Sequence, residues 1–303
     1  MSAAELSGVL VIDKCGGMTS HDVVGRVRRL YHTRRVGHAG TLDPMATGVL
    51  VVLVGRAAKA AEYLTLNTKE YHATLRLGLT TDTEDITGKT LTVSGDIPNA
   101  PKVVALAESF VGERMQTPPM YSALKVGGQK LVDLARRGIE VERKPRPITI
   151  HAISCEPLSD RDFSLRVVCS AGTYIRTLCA DIGSALGCGG AMASLRRTAA
   201  GEFSLQQAID LQALEALDEE GLAARLLPVC TLFADLAAVH LPPFYEKLCR
   251  GGCEIYQKKI GTAYGIGTRV RLCNAKGEFF ALGEVREYEN GTAIKSIKMF
   301  DVS

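Results

Sequence analysis

The sequence predicts a mixed α/β protein whose main sheet is largely antiparallel and flanked by helices, followed by a small β-rich module. Strand and helix patterns interleave over the first 205 residues with no regular β-α-β period and no dinucleotide-type glycine motif. Residues 206–236 are acidic and helical in pattern, and short strands with turns follow them. The chain of 303 residues is long enough for two domains, which we place at 1–236 and 239–303.

Each element of the first domain has its own signal. Apolar runs or strict alternation predict strands, bounded by glycine and turn residues. The predicted strands are 8–14, 47–55, 69–79, 142–158 and 162–170. Helical spacing of apolar residues predicts four helices, at 19–31, 57–66, 101–115 and 173–187. Thr19 or Ser20 caps the first of these, and Pro101 lies in the first turn of the third. Residues 116–129 contain prolines and glycines without a period and are predicted to form a long irregular loop, which overlaps an insertion at 118–147.

Composition narrows the class of protein. A net charge of +3 and a pI near 8.3 permit a polyanionic partner without requiring one. Nine scattered cysteines argue against a disulfide framework and predict a reducing, cytoplasmic setting; Cys249 and Cys253 lack a second ligand pair for zinc. No apolar run is long enough to span a bilayer, and no secretory signal pattern is present, so no membrane association is predicted.

The basic residues are unevenly distributed. No acidic residue stands between Asp22 and Asp43, whereas five arginines crowd the intervening segment: Arg26, Arg28, Arg29, Arg34 and Arg35. A solvated helix face is the ordinary interpretation of such a run, but the missing acids favour a surface that faces phosphates. For a second cluster at 136–146, softened by Glu140 and Glu142, the two interpretations remain balanced.

The segment GHAGTLDPMATG, from Gly37 to Gly48, sets one carboxylate among glycines and a proline. Pro44 biases Asp43 toward an extended or turn conformation, and the glycines allow close approach of a ligand. A phosphate loop would need a terminal Lys-Ser/Thr, and a glycosidase would need a second acid. The nearby acids of TTDTED lack calcium-loop spacing, and no G-x-S-x-G is present. From the residues alone, Asp43 is either a turn residue or an exposed acid beside a basic surface.

The same segment resembles the signature of the TruB-type tRNA pseudouridine synthases, G-H-x-G-[TA]-L-D-P-x-A-x-G. Further family motifs follow in order and bring the resemblance to about residues 8–205: LVIDKCGGMTSHDVV, KEYHATLRLGLTTDTEDITG, PPMYSALKVGGQKL, CSAGTYIRTLCADIG and ASLRRTAAGEF. The tail from Leu241 to Phe300 is similar, more weakly, to the PUA-type RNA-binding domain. Cys15 and Val132 depart from the residues common in the family, at positions outside the implied chemistry.

The resemblance implies a pseudouridine-synthase fold and a reaction in which uracil is detached, rotated and rejoined through carbon. It makes Asp43 the catalytic carboxylate, paired with Arg176, which would keep it ionised and aimed. Tyr71 would stack on the uracil. His38 would lie where the RNA opens and the uridine is extruded. No metal, redox group or other cofactor is implied.

Further roles follow from the same resemblance. Four residues would line or support the pocket: Tyr174, Leu195, Lys14 and Lys59. The RNA backbone would meet Arg28, Arg29, Arg34 and Arg35. The family's usual substrate is the uridine at position 55 of the tRNA T-loop, so the expected partner is the T-arm of tRNA. Residues 118–147 would act as a movable clamp on this arm. The protein is expected to be a monomer that also assists tRNA folding. A non-catalytic RNA-binding protein and an EDTA-sensitive phosphoesterase using TTDTED remain alternatives.

Overall fold

A computed structural model describes residues 6–64 and 67–300 of the chain. The strands of these residues fall into one large sheet, a second smaller sheet and two hairpins. In chain order they are β1 (Gly8–Lys14), β2 (Val36–Ala39), β3 (Thr47–Val54), β4 (Thr68–Leu77), β5 (Leu79–Thr81), β6 (Thr90–Val93), β7 (Gly112–Gln116), β8 (Lys125–Val126), β9 (Gln129–Lys130), β10 (Arg146–Pro157), β11 (Asp162–Ser170), β12 (Gly190–Ala200), β13 (Phe203–Ser204), β14 (Ile209–Asp210), β15 (Ala238–His240), β16 (Ile255–Tyr256), β17 (Arg269–Cys273), β18 (Phe279–Tyr288) and β19 (Gly291–Met299).

The helices pack against these sheets or connect their strands. They are α1 (Ser20–Leu30), α2 (Ala100–Glu108), α3 (Leu131–Ala135), α4 (Ile175–Ala185), α5 (Leu211–Glu215), α6 (Glu219–Ala224), α7 (Pro243–Arg250) and α8 (Gln257–Ile260), with 3₁₀ helices at Gly55–Ala60 and Val229–Phe233. No helix in the described ranges is both long enough and apolar enough to cross a membrane.

The large sheet confirms the mixed α/β, largely antiparallel class. Its strand order is β14-β1-β3-β12-β4-β11-β10-β7, with β2 also paired to β3 and β13 to β12. The β1–β14 and β3–β12 pairs are parallel and the others antiparallel. Strands β3, β12 and β4 are therefore neighbours, and side chains from three distant parts of the sequence meet at the middle of the sheet.

Helix α1 begins as its sequence predicts. The Thr19 hydroxyl accepts a hydrogen bond from the Asp22 amide, and the Asp22 carboxylate accepts one from the Thr19 amide at 2.8 Å, which completes a capping box. Val23, Val24 and Val27 are buried against the sheet. The helix thus covers one face of the sheet, and its last turn leads into β2.

Two predicted helices differ in the structure, and one strand was not predicted. The helix predicted at 57–66 is a short 3₁₀ helix, Gly55–Ala60, and residues 65–66 lie outside the described part of the chain. The helix predicted at 101–115 ends at Glu108, because Gly112 has φ +114° and β7 then pairs with β10. Strand β12, which the sequence pattern did not predict, occupies the middle of the sheet.

The segment at 118–147, which we call the insertion, is more ordered than the predicted irregular loop. Strands β8 and β9 form a hairpin across Gly127 and Gly128, which have φ +58° and +83°. Helix α3 follows, and its Leu131 and Leu134 side chains are buried.

Residues 206–236, predicted to be helical, pack against the rest of the first domain. Leu211, Leu214 and Leu222 join the main core, and the Tyr31 hydroxyl donates a hydrogen bond to the Leu222 carbonyl at 2.9 Å. The Arg26 guanidinium lies 3.2 Å from the Glu215 carboxylate. An acid distant in sequence therefore compensates one member of the arginine run.

The C-terminal part forms a five-stranded sheet in the order β15-β17-β18-β19-β16, which fits a PUA-like domain. Its inner cluster includes Val270, Leu272 and Phe280. A separate apolar cluster joins this sheet to the large one: Leu282 and Phe300 pack with Val11, Val51 and Leu53. The two sheets therefore share a buried apolar contact.

Candidate active site

Asp43 lies on the turn between β2 and β3, and Lys14 supports this turn from beneath. The fully buried Lys14 ammonium donates hydrogen bonds to the carbonyls of Cys15 at 2.9 Å, Met18 at 2.7 Å and Pro44 at 3.2 Å. Burial lowers the pKa of Lys14, and the nearby Asp43 opposes that shift. Lys14 thus fixes the backbone next to Asp43.

The Asp43 carboxylate faces the Arg176 guanidinium in a two-point contact. Oδ2 lies 2.9 Å from Nε and Oδ1 lies 3.3 Å from Nη2. Arg176 is in the first turn of α4 and is almost wholly buried, whereas 34 % of the Asp43 side chain is exposed. The carboxylate is therefore held in a fixed orientation while one side of it stays accessible.

Further oxygens hold the Arg176 guanidinium itself. It donates to the Thr83 carbonyl at 3.1 Å and to the Tyr121 carbonyl, in the insertion, at 2.8 Å. The buried Asp85 carboxylate lies 4.0 Å from Nε and accepts hydrogen bonds from the Thr83 and Thr87 hydroxyls. The guanidinium thus links Asp43, the 83–85 turn and the insertion.

Burial raises the pKa of Asp43 above its ordinary value, and the Arg176 guanidinium opposes that shift. Asp85 adds to the upward shift because it is a second carboxylate nearby. The sequence-based expectation that Arg176 keeps Asp43 ionised thus describes one of two competing effects, and burial is the larger.

Tyr71 lies on β4 directly opposite Arg197 of β12. Tyr71 is only 6 % exposed, and burial raises the pKa of its hydroxyl, which is hydrogen-bonded to the Arg197 guanidinium. Arg197 is completely buried and donates to the carbonyls of Val49 at 2.7 Å and Gly40 at 2.9 Å. One buried cation therefore connects the Tyr71 hydroxyl to both ends of the Asp43 turn.

A glycine is required where β3 meets β12. Gly48 has φ +98°, and a Cβ there would lie 2.2 Å from the Arg197 carbonyl oxygen. Only a residue without a side chain lets the two strands approach this closely. The last glycine of the GHAGTLDPMATG segment thus serves strand packing rather than ligand approach.

These side chains surround a cavity of about 290 Å³. Asp43, Tyr71, Tyr174, Arg176 and Leu195 all line it. The structure therefore brings together five of the residues predicted to form the site, and it places Lys14 just behind them. One wall comes from the insertion, through Ser122, Ala123 and Leu124.

Gln116 ties the root of the insertion to the start of α4. Its side chain donates to the Tyr174 carbonyl at 3.0 Å and accepts from the Tyr174 amide at 2.8 Å. Gln116 is 4 % exposed, so both bonds are sheltered from water. The contact therefore holds the Tyr174 backbone, two residues before Arg176.

His38 and Lys59 lie away from the cavity that contains Asp43. His38 is on β2 and lines a smaller cavity of about 210 Å³. Its Nδ1 is buried with no hydrogen-bond partner among the described residues, and burial lowers its pKa. Lys59 is exposed on the 3₁₀ helix at Gly55–Ala60 and lines neither cavity.

The four arginines predicted to meet RNA differ in their surroundings. Arg28 is half-buried and donates to the Val36 carbonyl at 3.1 Å. Arg29, Arg34 and Arg35 are exposed. The outer three are therefore on the surface, whereas Arg28 also holds the end of α1 to β2.

The carboxylates of TTDTED are occupied within the protein. Thr177 donates to Glu84 at 2.5 Å, Asp82 accepts from the Lys89 amide at 2.7 Å, and Asp85 faces Arg176. Within residues 6–64 and 67–300, no group of three His, Cys, Asp or Glu side chains is arranged to hold a metal ion. This arrangement gives the phosphoesterase alternative no support.

Sequence reasoning missed Arg197, Asp85, Gln116 and Lys69 as members of the site. The Arg196–Arg197 pair offered a signal, since alternate strand positions face opposite sides. Arg196 points outward to Asp13, 2.6 Å away, and Arg197 points inward. Lys69 precedes Tyr71 by two positions and so shares its face of β4.

Two protein families match the chain in succession. The family described as TruB family pseudouridylate synthase (N terminal domain) matches residues 28–175. The tRNA pseudouridylate synthase B C-terminal domain matches residues 176–234. The two matches meet within the first turn of α4, between Ile175 and Arg176.

Curated relatives are similar along almost the whole chain. The tRNA pseudouridine synthase B of Dechloromonas aromatica is 44 % identical over 282 residues, covering 92 % of each chain. That of Alkaliphilus oremlandii is 43 % identical over 298 residues, covering 97 % of this chain and 98 % of its own.

Solved structures share the fold. A chain in the crystal structure of a Cbf5-Nop10-Gar1 complex has TM-score 0.76 at 27 % identity, covering 98 % of this chain and 85 % of that one. A chain from an H/ACA RNP bound to a substrate RNA containing 2′-deoxyuridine has TM-score 0.74 at 26 % identity, covering 97 % and 85 %.

Proposed function

Because this chain belongs to the TruB family of pseudouridylate synthases, isomerases that convert tRNA uridine to pseudouridine, we propose that its target is the uridine at position 55 of the T-loop. Asp43 is the catalytic carboxylate in this proposal. The observation that carries it is the Asp43–Arg176 contact at 2.9 Å, at the edge of a cavity also lined by Tyr71. No other carboxylate among the described residues lines that cavity.

The reaction exchanges one bond of C1′ for another. The bond from C1′ to N1 breaks, a bond from C1′ to C5 forms, C5 loses a proton and N1 gains one. Asp43 acts on the ribose or the base of the extruded uridine, and Arg176 orients its carboxylate. Tyr71 stacks on the uracil, with Leu195 and Tyr174 as further walls of the cavity.

The remaining parts bind the RNA in this proposal. Residues 1–236 form the catalytic domain, and 239–303 form a PUA-like RNA-binding domain. The insertion at 118–147 clamps the T-arm, and His38 lies where the loop opens. The protein works as a monomer and assists tRNA folding through the same contacts. Its nine free cysteines are consistent with a reducing, cytoplasmic setting.

The test is to incubate the protein with unmodified tRNA transcript and map pseudouridine by position. We expect a single modified site at position 55 with the wild-type protein and none with Asp43→Asn. Modification at another position would reject the proposed target. Modification by Asp43→Asn would reject the proposed catalyst.

A further inference from the structure

Lys69 connects the active-site cavity to the cavity that contains His38. It lies on β4 two positions before Tyr71. Within the described part of the chain it is the one residue that lines both cavities. A Cβ built on Gly40 would lie 3.5 Å from its Nζ, which places the ammonium close over the Asp43 turn. Any chain that enters the active-site cavity from the His38 side passes this side chain.

The Lys69 ammonium has no anionic partner in residues 6–64 and 67–300. The charged group with the largest effect on the pKa of Lys69 is another cation, Arg197. Arg197 already donates hydrogen bonds to the Gly40 and Val49 carbonyls. Burial and Arg197 together lower the pKa of Lys69. A half-buried cation beside a second cation is unfavourable unless an anion compensates it, so this arrangement suits a negatively charged ligand.

The substrate supplies that anion where the geometry needs it. A uridine extruded into the Asp43 cavity carries its two flanking phosphodiesters to the cavity entrance, because they are bonded to its ribose. Lysine recognises phosphate as a point charge with three donors, independent of base sequence. We propose that Lys69 binds a phosphodiester directly adjacent to the extruded uridine. This inference rests on the proposed function.

Two other roles for Lys69 make different forecasts. As a proton-transfer group, Lys69 would affect turnover equally on every RNA, whatever the charge of a linkage. As a support for Gly40, it would affect the melting temperature. A phosphate contact instead couples the effect of the lysine to the charge of one particular linkage.

The experiment is a double-mutant cycle between protein and RNA. The RNAs are T-arm stem-loops with a single uncharged methylphosphonate either 5′ or 3′ of the target uridine. The proteins are wild type, Lys69→Met, Lys69→Arg and, as a matched control, Lys102→Met on the exposed first turn of α2. Melting temperatures establish that each variant is folded.

We expect Lys69→Met to lower kcat/KM on the unmodified RNA about ten- to hundredfold, the usual range for a hydrogen bond to a charged group. One methylphosphonate should cost wild type a similar factor and Lys69→Met nothing further. Lys69→Arg keeps the positive charge, so its activity should still depend on the charge of that one linkage. This variant also tests the proposal if Lys69→Met does not fold. Lys102→Met should match wild type throughout. A Lys69→Met loss that is absent, or equal on all three RNAs, overturns the proposal.

The same cycle measured as binding separates this inference from the proposed function. Each lysine variant is combined with Asp43→Asn, and Kd is measured for the three RNAs. Coupling between Lys69 and a linkage then appears without turnover. Wild-type turnover at position 55 without such coupling rejects Lys69 alone, whereas coupling without turnover at that position rejects the proposed target alone.

Discussion

The Arg176 guanidinium contacts the Asp43 carboxylate at both oxygens, 2.9 Å from Nε and 3.3 Å from Nη2. The same Nη2 donates to the Tyr121 carbonyl in the insertion at 2.8 Å. The Arg176 side chain therefore contacts both the carboxylate and the segment that is proposed to clamp the RNA. Arg176 holds the Asp43 carboxylate in this orientation only while the insertion and α4 keep their relative positions.

Asp43→Asn should abolish isomerisation while leaving the protein folded. The change removes the negative charge but preserves size, and Arg176 retains the Asp85 carboxylate and two carbonyls. We expect a loss of about 10⁴-fold in single-turnover rate, or ~5.4 kcal/mol of transition-state stabilisation. tRNA affinity should change less than about tenfold, ~1.4 kcal/mol. A variant with lowered stability and unchanged activity in the folded fraction would identify Asp43 as a turn residue only.

Activity should fall at acid pH through a midpoint above 3.8, because burial raises the pKa of Asp43 above that ordinary value. Arg176→Lys should move this acid limb to higher pH, since a less well matched cation opposes the shift less. Single-turnover rates against pH, with circular dichroism as a folding control, provide the measurement. An acid limb that stays in place in Arg176→Lys would contradict the assignment.

Asp43 should make the free energy of unfolding depend on pH, because its pKa differs between the folded and unfolded states. Asp43 has a higher pKa in the folded state, so the folded state binds more protons than the unfolded state between 3.8 and that pKa. The free energy of unfolding of wild type relative to Asp43→Asn should therefore decrease as the pH rises through this window and stay constant above it. Chemical denaturation of both proteins at several pH values measures this difference.

Gln116→Met should reduce both stability and turnover. It leaves the Tyr174 amide and carbonyl without their partner, and we expect a loss of about 2 kcal/mol in the free energy of unfolding. Because Arg176 follows two residues later, kcat should fall about tenfold more than KM rises. Gln212→Met, at an exposed position of α5, is the matched control. Normal kcat in folded Gln116→Met would show that this contact does not position Arg176.

The arginine surface should divide into two kinds of residue. Arg29→Ala and Arg34→Ala should each flatten the log–log salt dependence of tRNA binding by about 0.7–0.9, the slope that one arginine–phosphate pair adds. Arg28→Ala should instead lower the melting temperature, because Arg28 donates to Val36. Filter binding across a salt series distinguishes them. Unchanged slopes in both surface variants would show that this face is solvated and does not contact phosphates.

The contact between the two sheets should make the C-terminal domain necessary for stability. Leu282 is fully buried in the apolar cluster shared with β1 and β3. We expect Leu282→Ala to cost about 2–4 kcal/mol of unfolding free energy, whereas Phe244→Ala, 67 % exposed, should stay within about 0.5 kcal/mol. A chain ending at Leu236 should aggregate or melt early. If that chain is as stable as the full protein, the shared cluster has no energetic role.

The sequence predicts those features that local chemistry determines. Thr19 and Asp22 form their capping box within four residues, and the apolar run at 49–54 can only be a buried strand. Pro44 and the glycines predict the turn at Asp43, whereas its pairing with Arg176 is implied only by the family resemblance, because 133 positions separate the two residues. No local pattern connects residues at such a distance.

The missed features depend on tertiary contacts. Strand β12 carries two consecutive arginines, which argues against a central strand until Arg197 is seen to bind backbone carbonyls. The helix predicted at 101–115 fails where β10 offers β7 a strand partner. Gln116 has no signal in sequence, because its partner is the backbone of Tyr174.

Strand β4 lies between β11 and β12 and pairs with both along nearly its whole length. Backbone amides at Lys69 and Tyr71 are therefore expected to exchange with solvent only in openings that separate β4 from a neighbouring strand inside the sheet. The hairpin of the insertion, in contrast, forms a separate two-stranded sheet that pairs with no strand of the large one. We therefore expect that the insertion of another family member can be grafted onto this chain while β4, which carries Lys69 and Tyr71, keeps its place in the sheet.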